Sequence, residues 1–206
     1  MTVQPDITLV IETVTPACSV ALLGADGRLL DERHEVVERG HAERLLPMIE
    51  TLLSGRRPAA ILVDCGPGSF TGVRVGLAAA HGLAIGWGVP VSGYSSMALI
   101  AAASGASAPA VALLGGHGEL FVQEYGGDPI APIGELKSLA PDAAAAAIAA
   151  PVVLGSGAIV VVEARGHGEW RDALPRAADA LALPPALRSL PPKPIYGRGP
   201  DAKPMT

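Results

Sequence analysis

The sequence has 206 residues, of which 50% are hydrophobic and 17% are charged, enough for one large domain or two small lobes with their own cores. Its net charge of −5 excludes a general electrostatic attraction to nucleic acid. Any contact with RNA is therefore expected to pass through another protein.

Three strands are predicted at the start of the chain. Apolar runs extend from Ile7 to Ile11 and from Ser19 to Leu23, and a hairpin-type turn at Ala25-Asp26-Gly27 leads into a third strand from Arg28 to Val37. Three antiparallel strands therefore precede the first helix.

The first helix is predicted from His41 to Leu53, with Gly55 ending it. Arg44 and Met48 fall outside its apolar stripe, and Met48 is expected to be an exposed apolar residue. The stripe consists of residues spaced by three and four: Ala42, Leu45, Leu46, Ile49, Leu52 and Leu53.

A glycine-rich turn, Gly66 to Gly72, connects a buried strand from Ala59 to Val63 to a second helix from Gly72 to about Gly86. Glycines let backbone N–H groups approach a ligand or partner closely, and a helix N-terminus favours negative charge. Thr71, or Ser69 as the second choice, is the predicted cap of that helix. The candidate contacts in the turn are Gly66, Gly68, Ser69, Thr71 and Gly72.

This turn does not match the common nucleotide-binding loops. Its three glycines are spaced one residue longer than the dinucleotide fingerprint, and no acidic residue stands about 20 positions further on. The Lys-Ser/Thr pair of the P-loop is also missing, because the turn closes on Gly72-Val73. Ser69 does not lie in a GxSxG elbow, so a peptidase has no support.

The second helix is apolar nearly all round, which is typical of a helix buried on more than one side. Its least apolar line would leave Ala78 and Ile85 in water in a monomer, so we predict a helix-to-helix interface there. The alternative is that the C-terminal tail or the second lobe covers this face. The predicted interface consists of Arg44, Met48, Arg74, Ala78, His81 and Ile85.

A lobe boundary is predicted between Ala103 and Pro109, giving lobes of residues 1–106 and 107–206. The second lobe is expected to contain a hairpin around Gly115 to Gly118, a helix from Pro141 to Ala150 and a strand from Val152 to Leu154. The sequence of this lobe further predicts a strand from Ile159 to Glu163. The composition from Arg171 to Arg188 is helical, and a proline-rich basic tail from Pro191 to Pro204 includes Arg198 and Lys203.

Metal and redox chemistry find little support. The five histidines form no HxxxH or HExxH pair, so no metal and no cofactor are predicted. Cys18 and Cys65 lack CxxC spacing and favour a reducing cytoplasm. The apolar region from Val75 to Val91 is interrupted by glycines and Pro90, so no membrane span is expected.

Several segments together resemble the TsaB (YeaZ) family. They are Leu9 to Thr13, Ala17 to Leu22, His41 to Pro47, GPGSFTGVRVG at Gly66 to Gly76 and, more weakly, Gly118 to Phe121 and Pro194 to Tyr196. The resemblance implies an α/β, two-lobed actin-like (ASKHA, ribonuclease H-like) fold. It also implies a non-catalytic scaffold for a TsaD-like transferase that forms threonylcarbamoyladenosine in tRNA next to the anticodon. Further implied partners are a TsaE-like ATPase and, when the protein is alone, a second copy, with tRNA contacted only indirectly.

Two alternatives remain open. In actin-like folds the position that Glu12 occupies usually holds an acidic residue that faces bound nucleotide. Glu12 and the glycine turn could therefore hold phosphate in an ATPase or phosphotransferase. The other alternative is a purely structural dimer module. Against an enzyme, the second lobe is small, and it offers the short turn Gly155-Ser156-Gly157 where a kinase would need an adenosine pocket and a second phosphate loop.

Overall fold

The computed structural model describes residues 7–37 and 39–197, and in them the chain forms two five-stranded sheets. The first sheet has the spatial order β3-β2-β1-β4-β5. Its strands are β1 (Ile7–Glu12), β2 (Ala17–Gly24), β3 (Leu29–Val36), β4 (Ala60–Asp64) and β5 (Val91–Tyr94). β1 is antiparallel to β2 and parallel to β4, and β4 is parallel to β5.

The second sheet has the order β10-β9-β6-β7-β8. Its strands are β6 (Ala110–Leu114), β7 (Leu120–Gly126), β8 (Ala131–Leu139), β9 (Val152–Leu154) and β10 (Glu169–Arg171). β6 and β7 form the hairpin that the glycines at 115–118 predict. The helices of the second half, α4 (Pro141–Ala147) and α5 (Ala158–Arg165), pack on one face of this sheet.

The residues of β1 alternate between two cores. Leu9 and Ile11 pack with α1 (His41–Leu53) and α2 (Phe70–Trp87), whereas Val10 packs with α3 (Ser96–Ala103) on the other face. Because both faces of the sheet are covered, Leu9, Val10 and Ile11 are consecutive apolar residues instead of alternating with polar ones.

α3 lies between the two sheets and joins them. Its Met97 and Leu99 have no exposed surface, and they share one apolar cluster with Val10 of the first sheet and Val111 of the second. The predicted boundary between the two lobes lies in the connection from α3 to β6. Burial on every side explains why α3 has hardly any polar residue.

The C-terminal segment returns to the first sheet. Two 3₁₀ helices, Ala177–Ala182 and Pro185–Arg188, follow β10, and the backbone N–H of Ala177 donates to Oγ of Ser19 in β2 at 3.0 Å. Leu190 then pairs with Gly93 of β5 through two backbone hydrogen bonds of 2.7 and 3.0 Å. Residues that the predicted division assigns to the second lobe therefore contact the first.

Several predicted elements of the second half are wrong. The run from Ile159 to Glu163 is helical, because Ala158 and Val161, three residues apart, both enter the core beside α4, and this packing overrides the β-branched composition. β8 was not predicted, since Pro132 and Gly134 interrupt its pattern, yet both are tolerated in an edge strand. β10 was also missed, and α4 ends at Ala147 instead of Ala150.

Candidate functional site

The glycine turn is filled by the chain itself. The hairpin between β1 and β2 lies directly on it: the N–H of Ser69 donates to the carbonyl oxygen of Val14 at 2.7 Å, and the hydroxyl of Thr13 donates to the carbonyl oxygen of Gly72 at 2.8 Å. A Cβ on Gly68 would collide with the Val14 carbonyl, and one on Gly72 would collide with the Thr13 carbonyl. The close approach that these glycines permit is therefore made by the protein's own backbone.

α2 begins two residues earlier than predicted, and its cap is Ser69 instead of Thr71. The Ser69 hydroxyl accepts a hydrogen bond from the N–H of Gly72 at 3.2 Å, whereas Thr71 lies inside the first turn with its side chain exposed. The cap moves because Phe70 and Thr71 already have helical backbone geometry. Gly66, the remaining glycine of the set, has a φ of +96°, which L side chains rarely adopt.

Glu12 is completely buried at the end of β1. Its neighbour across the parallel pairing is Asp64 at the end of β4, which is 1% exposed and which the sequence patterns did not single out. Burial raises the pKa of the Glu12 carboxyl, and burial together with the charge of Glu12 raises the pKa of the Asp64 carboxyl well above its usual value. Neither carboxylate faces solvent where it could meet a nucleotide from outside.

Ser69 and Thr71 face an open groove between the N-termini of α1 and α2. The groove has a volume of about 480 Å³, and its other wall is formed by residues 39–43, which include Arg39 and Glu43. The structure thus separates the predicted turn residues by their exposure. Glu12, Gly66 and Gly72 are buried and Gly68 is half-buried, whereas Ser69 and Thr71 are exposed.

The predicted line on the outer face of α2 is exposed along its whole length. Arg74, Ala78, His81 and Ile85 all lie at the surface, and Ile85 is 84% exposed. The guanidinium carbon of Arg74 lies 3.6 Å from the centre of the Phe70 ring, a cation–π contact within the same helix.

The two predicted interface residues on α1 differ from those on α2. Met48 is only 7% exposed and packs in the core of the first lobe, so the expectation that it is exposed is wrong. Leu46, which was assigned to the buried stripe, is 52% exposed in its place. Arg44 is exposed and forms an ion pair of 2.6 Å with Glu35 of β3, the strand at the opposite edge of the sheet from β5.

The C-terminal segment borders the α2 face without covering it. The carbonyl oxygen of Pro192 lies 3.3 Å from Nε2 of His81, and the Tyr196 ring centre lies 6.0 Å from that of Phe70. Ala78 and Ile85 stay exposed, so the tail does not bury the apolar part of the line. Arg198 and Lys203, which contribute to the predicted basic character of the tail, lie outside the described residues.

Three further properties of the described residues bear on function. No group of three or more His, Cys, Asp or Glu side chains there is arranged to hold a metal ion. None of the helices in the described part of the chain has the length and hydropathy needed to cross a membrane. Both cysteines, Cys18 and Cys65, are buried free thiols.

Comparison with known proteins identifies similar sequences. A family model for TsaD, described as tRNA N6-adenosine threonylcarbamoyltransferase, matches residues 34–160. The tRNA threonylcarbamoyladenosine biosynthesis protein TsaB of Escherichia coli K12 is 37% identical over 126 residues, which are 57% of this chain and 54% of that protein. TsaB of Haemophilus influenzae is 42% identical over 101 residues, 47% of this chain and 42% of that protein. The chain spans about half the length of the curated relatives it matches.

Solved structures match over more of the chain. A Pseudomonas aeruginosa protein described as uncharacterized, with similarity to peptidase YeaZ, superimposes with a TM-score of 0.78 at 31% identity, covering 94% of this chain and 100% of that one. YeaZ from Pseudomonas aeruginosa gives a TM-score of 0.74 at 31% identity, covering 86% of this chain and 90% of that one. The predicted two-lobed actin-like fold is confirmed.

Proposed function

Because the chain belongs to the TsaB (YeaZ) family, which is related to TsaD, we propose that it takes part in forming threonylcarbamoyladenosine in tRNA, next to the anticodon. Its role there is that of a non-catalytic scaffold, which binds and stabilises a TsaD-like transferase. A TsaE-like ATPase joins the complex. The buried free thiols are compatible with a cytoplasmic location for this work.

The observation that carries the proposal is the exposed line on α2, which includes the apolar residues Ala78 and Ile85. Ile85 is 84% exposed and Ala78 is exposed beside it. Gly82, on the same side of the helix, has open space where a Cβ would be. Small residues on a helix surface let a second helix approach to the usual distance of about 8–10 Å. A partner helix packed there would remove Ile85 from water, which favours association.

The same face would serve two partners in turn. We assign it to homodimerisation when the protein is alone and to the TsaD-like subunit when that subunit is present. A specific contact of this kind buries on the order of 1,200–2,000 Å² in total. With a net charge of −5, the chain contacts tRNA only through its partners.

The closed glycine turn supports a non-catalytic role. An actin-like phosphotransferase would need its turn open to a nucleotide, whereas here the carbonyl groups of Thr13 and Val14 occupy the space beside Gly68 and Gly72. The acidic side chain at the end of β1 is buried as well. Catalysis in the complex is therefore assigned to the partner subunits.

The test is the double substitution Ala78→Arg with Ile85→Glu. It places two charges on the proposed interface, and we expect the variant to stay folded, to become monomeric and to lose the TsaD-like partner. Light scattering, partner pull-down and circular dichroism measure these three properties.

The matched control is Ala146→Arg with Ile133→Glu, which makes the same changes at exposed positions on α4 and β8. The control should keep both associations. An α2 variant that still dimerises and still binds the partner would rule out this face.

A further inference from the structure

Two acidic side chains meet inside the first lobe without a cation. Glu12 and Asp64 end the adjacent parallel strands β1 and β4, where Ile11 pairs with Val63, so the two carboxyl groups are neighbours. Burial and then the charge of Glu12 raise the pKa of the Asp64 carboxyl, as expected for two acidic groups in close proximity. Neither takes part in an ion pair within the described residues, and both are almost completely buried.

The Glu12 carboxyl holds the hairpin that follows β1. Its Oε1 accepts a hydrogen bond from the N–H of Val14 at 2.9 Å, and its Oε2 lies 3.2 Å from the hydroxyl of Tyr94 in β5. The same hydroxyl lies 3.2 Å from the carbonyl oxygen of Ile11. Glu12 thereby connects the hairpin to the end of β5.

The Asp64 carboxyl holds the glycine turn. Its Oδ1 accepts from the N–H of Gly66 at 2.6 Å and from the N–H of Ser96, at the start of α3, at 3.1 Å. Its Oδ2 is buried and receives no hydrogen bond from any N–H or hydroxyl group of the described chain. A buried carboxylate oxygen without a donor is costly, and the neighbouring Glu12 carboxyl can supply a proton to it.

The remaining titratable groups around the pair stay neutral near pH 7. They are Tyr94 of β5, Cys18 of β2, Cys65 after β4 and Tyr125 of β7. Burial raises the pKa of each thiol to about 11 and raises the pKa of both phenols above the usual value. None of these groups supplies a positive charge, so two ionised carboxylates here would repel each other without compensation.

We propose that Glu12 and Asp64 bind one proton between them, and that this proton fastens the β1–β2 hairpin to the glycine turn from which α2 begins. In its absence the two carboxylates repel each other, and the contacts from Val14 to Ser69 and from Thr13 to Gly72 loosen. The position of the N-terminal end of the exposed α2 face thus depends on pH through this proton.

The sign of the pH dependence follows from the raised pKa values of both carboxyls. The folded state holds a proton that the unfolded chain has already released, so the stabilisation is complete below the ordinary carboxyl range and is lost as the pH rises through the folded-state pKa. For one such proton, the folding equilibrium constant falls about tenfold for each unit by which the pH rises in that window.

The test compares the pH dependence of unfolding in Asp64→Asn and Glu12→Gln with that in the wild type. Each amide keeps the acceptor oxygen and supplies a fixed N–H in place of the shared proton. We expect both variants to lack the tenfold loss of the folding equilibrium constant per pH unit. The control Glu163→Gln, which removes an exposed carboxyl on α5, should retain that loss. Equal slopes in the wild type and both amide variants would overturn the proposal.

Two measurements on the wild type keep the proposal testable even if a variant does not fold. Infrared spectroscopy should show the band of a protonated carboxyl in the folded protein at neutral pH, and unfolding should remove it; no such band would contradict the proposal. Addition of Mg²⁺ or Mn²⁺ at alkaline pH should leave the unfolding midpoint unchanged. A rise with either ion would mean that the pair binds a cation instead of a proton.

Discussion

The two ends of one segment, residues 66–86, use small residues for opposite purposes. In the turn, Gly68 and Gly72 lie against backbone carbonyl groups, and no Cβ would fit at either position. On α2, Gly82 and Gly86 have open space where a Cβ would be. Gly68 and Gly72 thus support packing inside the protein, whereas Gly82 and Gly86 leave the surface open to a second molecule. The positions look equivalent in the sequence, and only the surrounding structure separates them.

Alanine substitutions at the two ends should therefore have opposite signs. Gly72→Ala forces the Thr13 carbonyl to move, and we expect a loss of about 2 kcal/mol or more in the free energy of unfolding, with a similar direction for Gly68→Ala. Gly82→Ala meets no atom and improves helix propensity, so it should add roughly 0.5–1 kcal/mol. Chemical denaturation measures both. A comparable change at the two positions would remove the distinction between a closed turn and an open helix.

A smaller effect is expected at the cap of α2. Ser69→Ala removes the hydrogen bond to the N–H of Gly72, and such a cap is worth about 1 kcal/mol. Thr71→Ala, two residues further on, removes an exposed side chain that makes no capping bond and should change the free energy of unfolding by less than about 0.5 kcal/mol. Thermal unfolding of the two variants side by side decides the matter. An equal loss in both would favour Thr71 as a contributor to the cap.

The exposed line of α2 was predictable because helical periodicity is a local property. Arg74, Ala78, His81 and Ile85 lie on one face through their spacing alone, and all four are exposed. Periodicity fails where two choices of stripe are nearly equivalent, as on α1, where the core takes Met48 and leaves Leu46 outside. The residues that pack against α1 decide which stripe is buried, and these residues lie outside the sequence of the helix.

The carboxyl pair could not be predicted from local sequence patterns, for a different reason. Glu12 and Asp64 are brought together by the parallel pairing of β1 with β4, a contact between residues far apart in the chain. The resemblance to actin-like folds indicates that Glu12 could face bound nucleotide, yet it does not show that the hairpin folds over the glycine turn and buries the carboxyl. Local composition likewise misassigned α5, whose β-branched residues pack as a helix.

The most direct test of the proposed role is reconstitution of threonylcarbamoyladenosine formation from purified components. We predict that this chain alone forms no product and does not turn over ATP, and that adding it to a TsaD-like subunit with its other partners raises product formation. The Ala78→Arg, Ile85→Glu variant should lose that increase. Product made by this chain alone, or an unchanged yield when it is left out, would contradict the scaffold role.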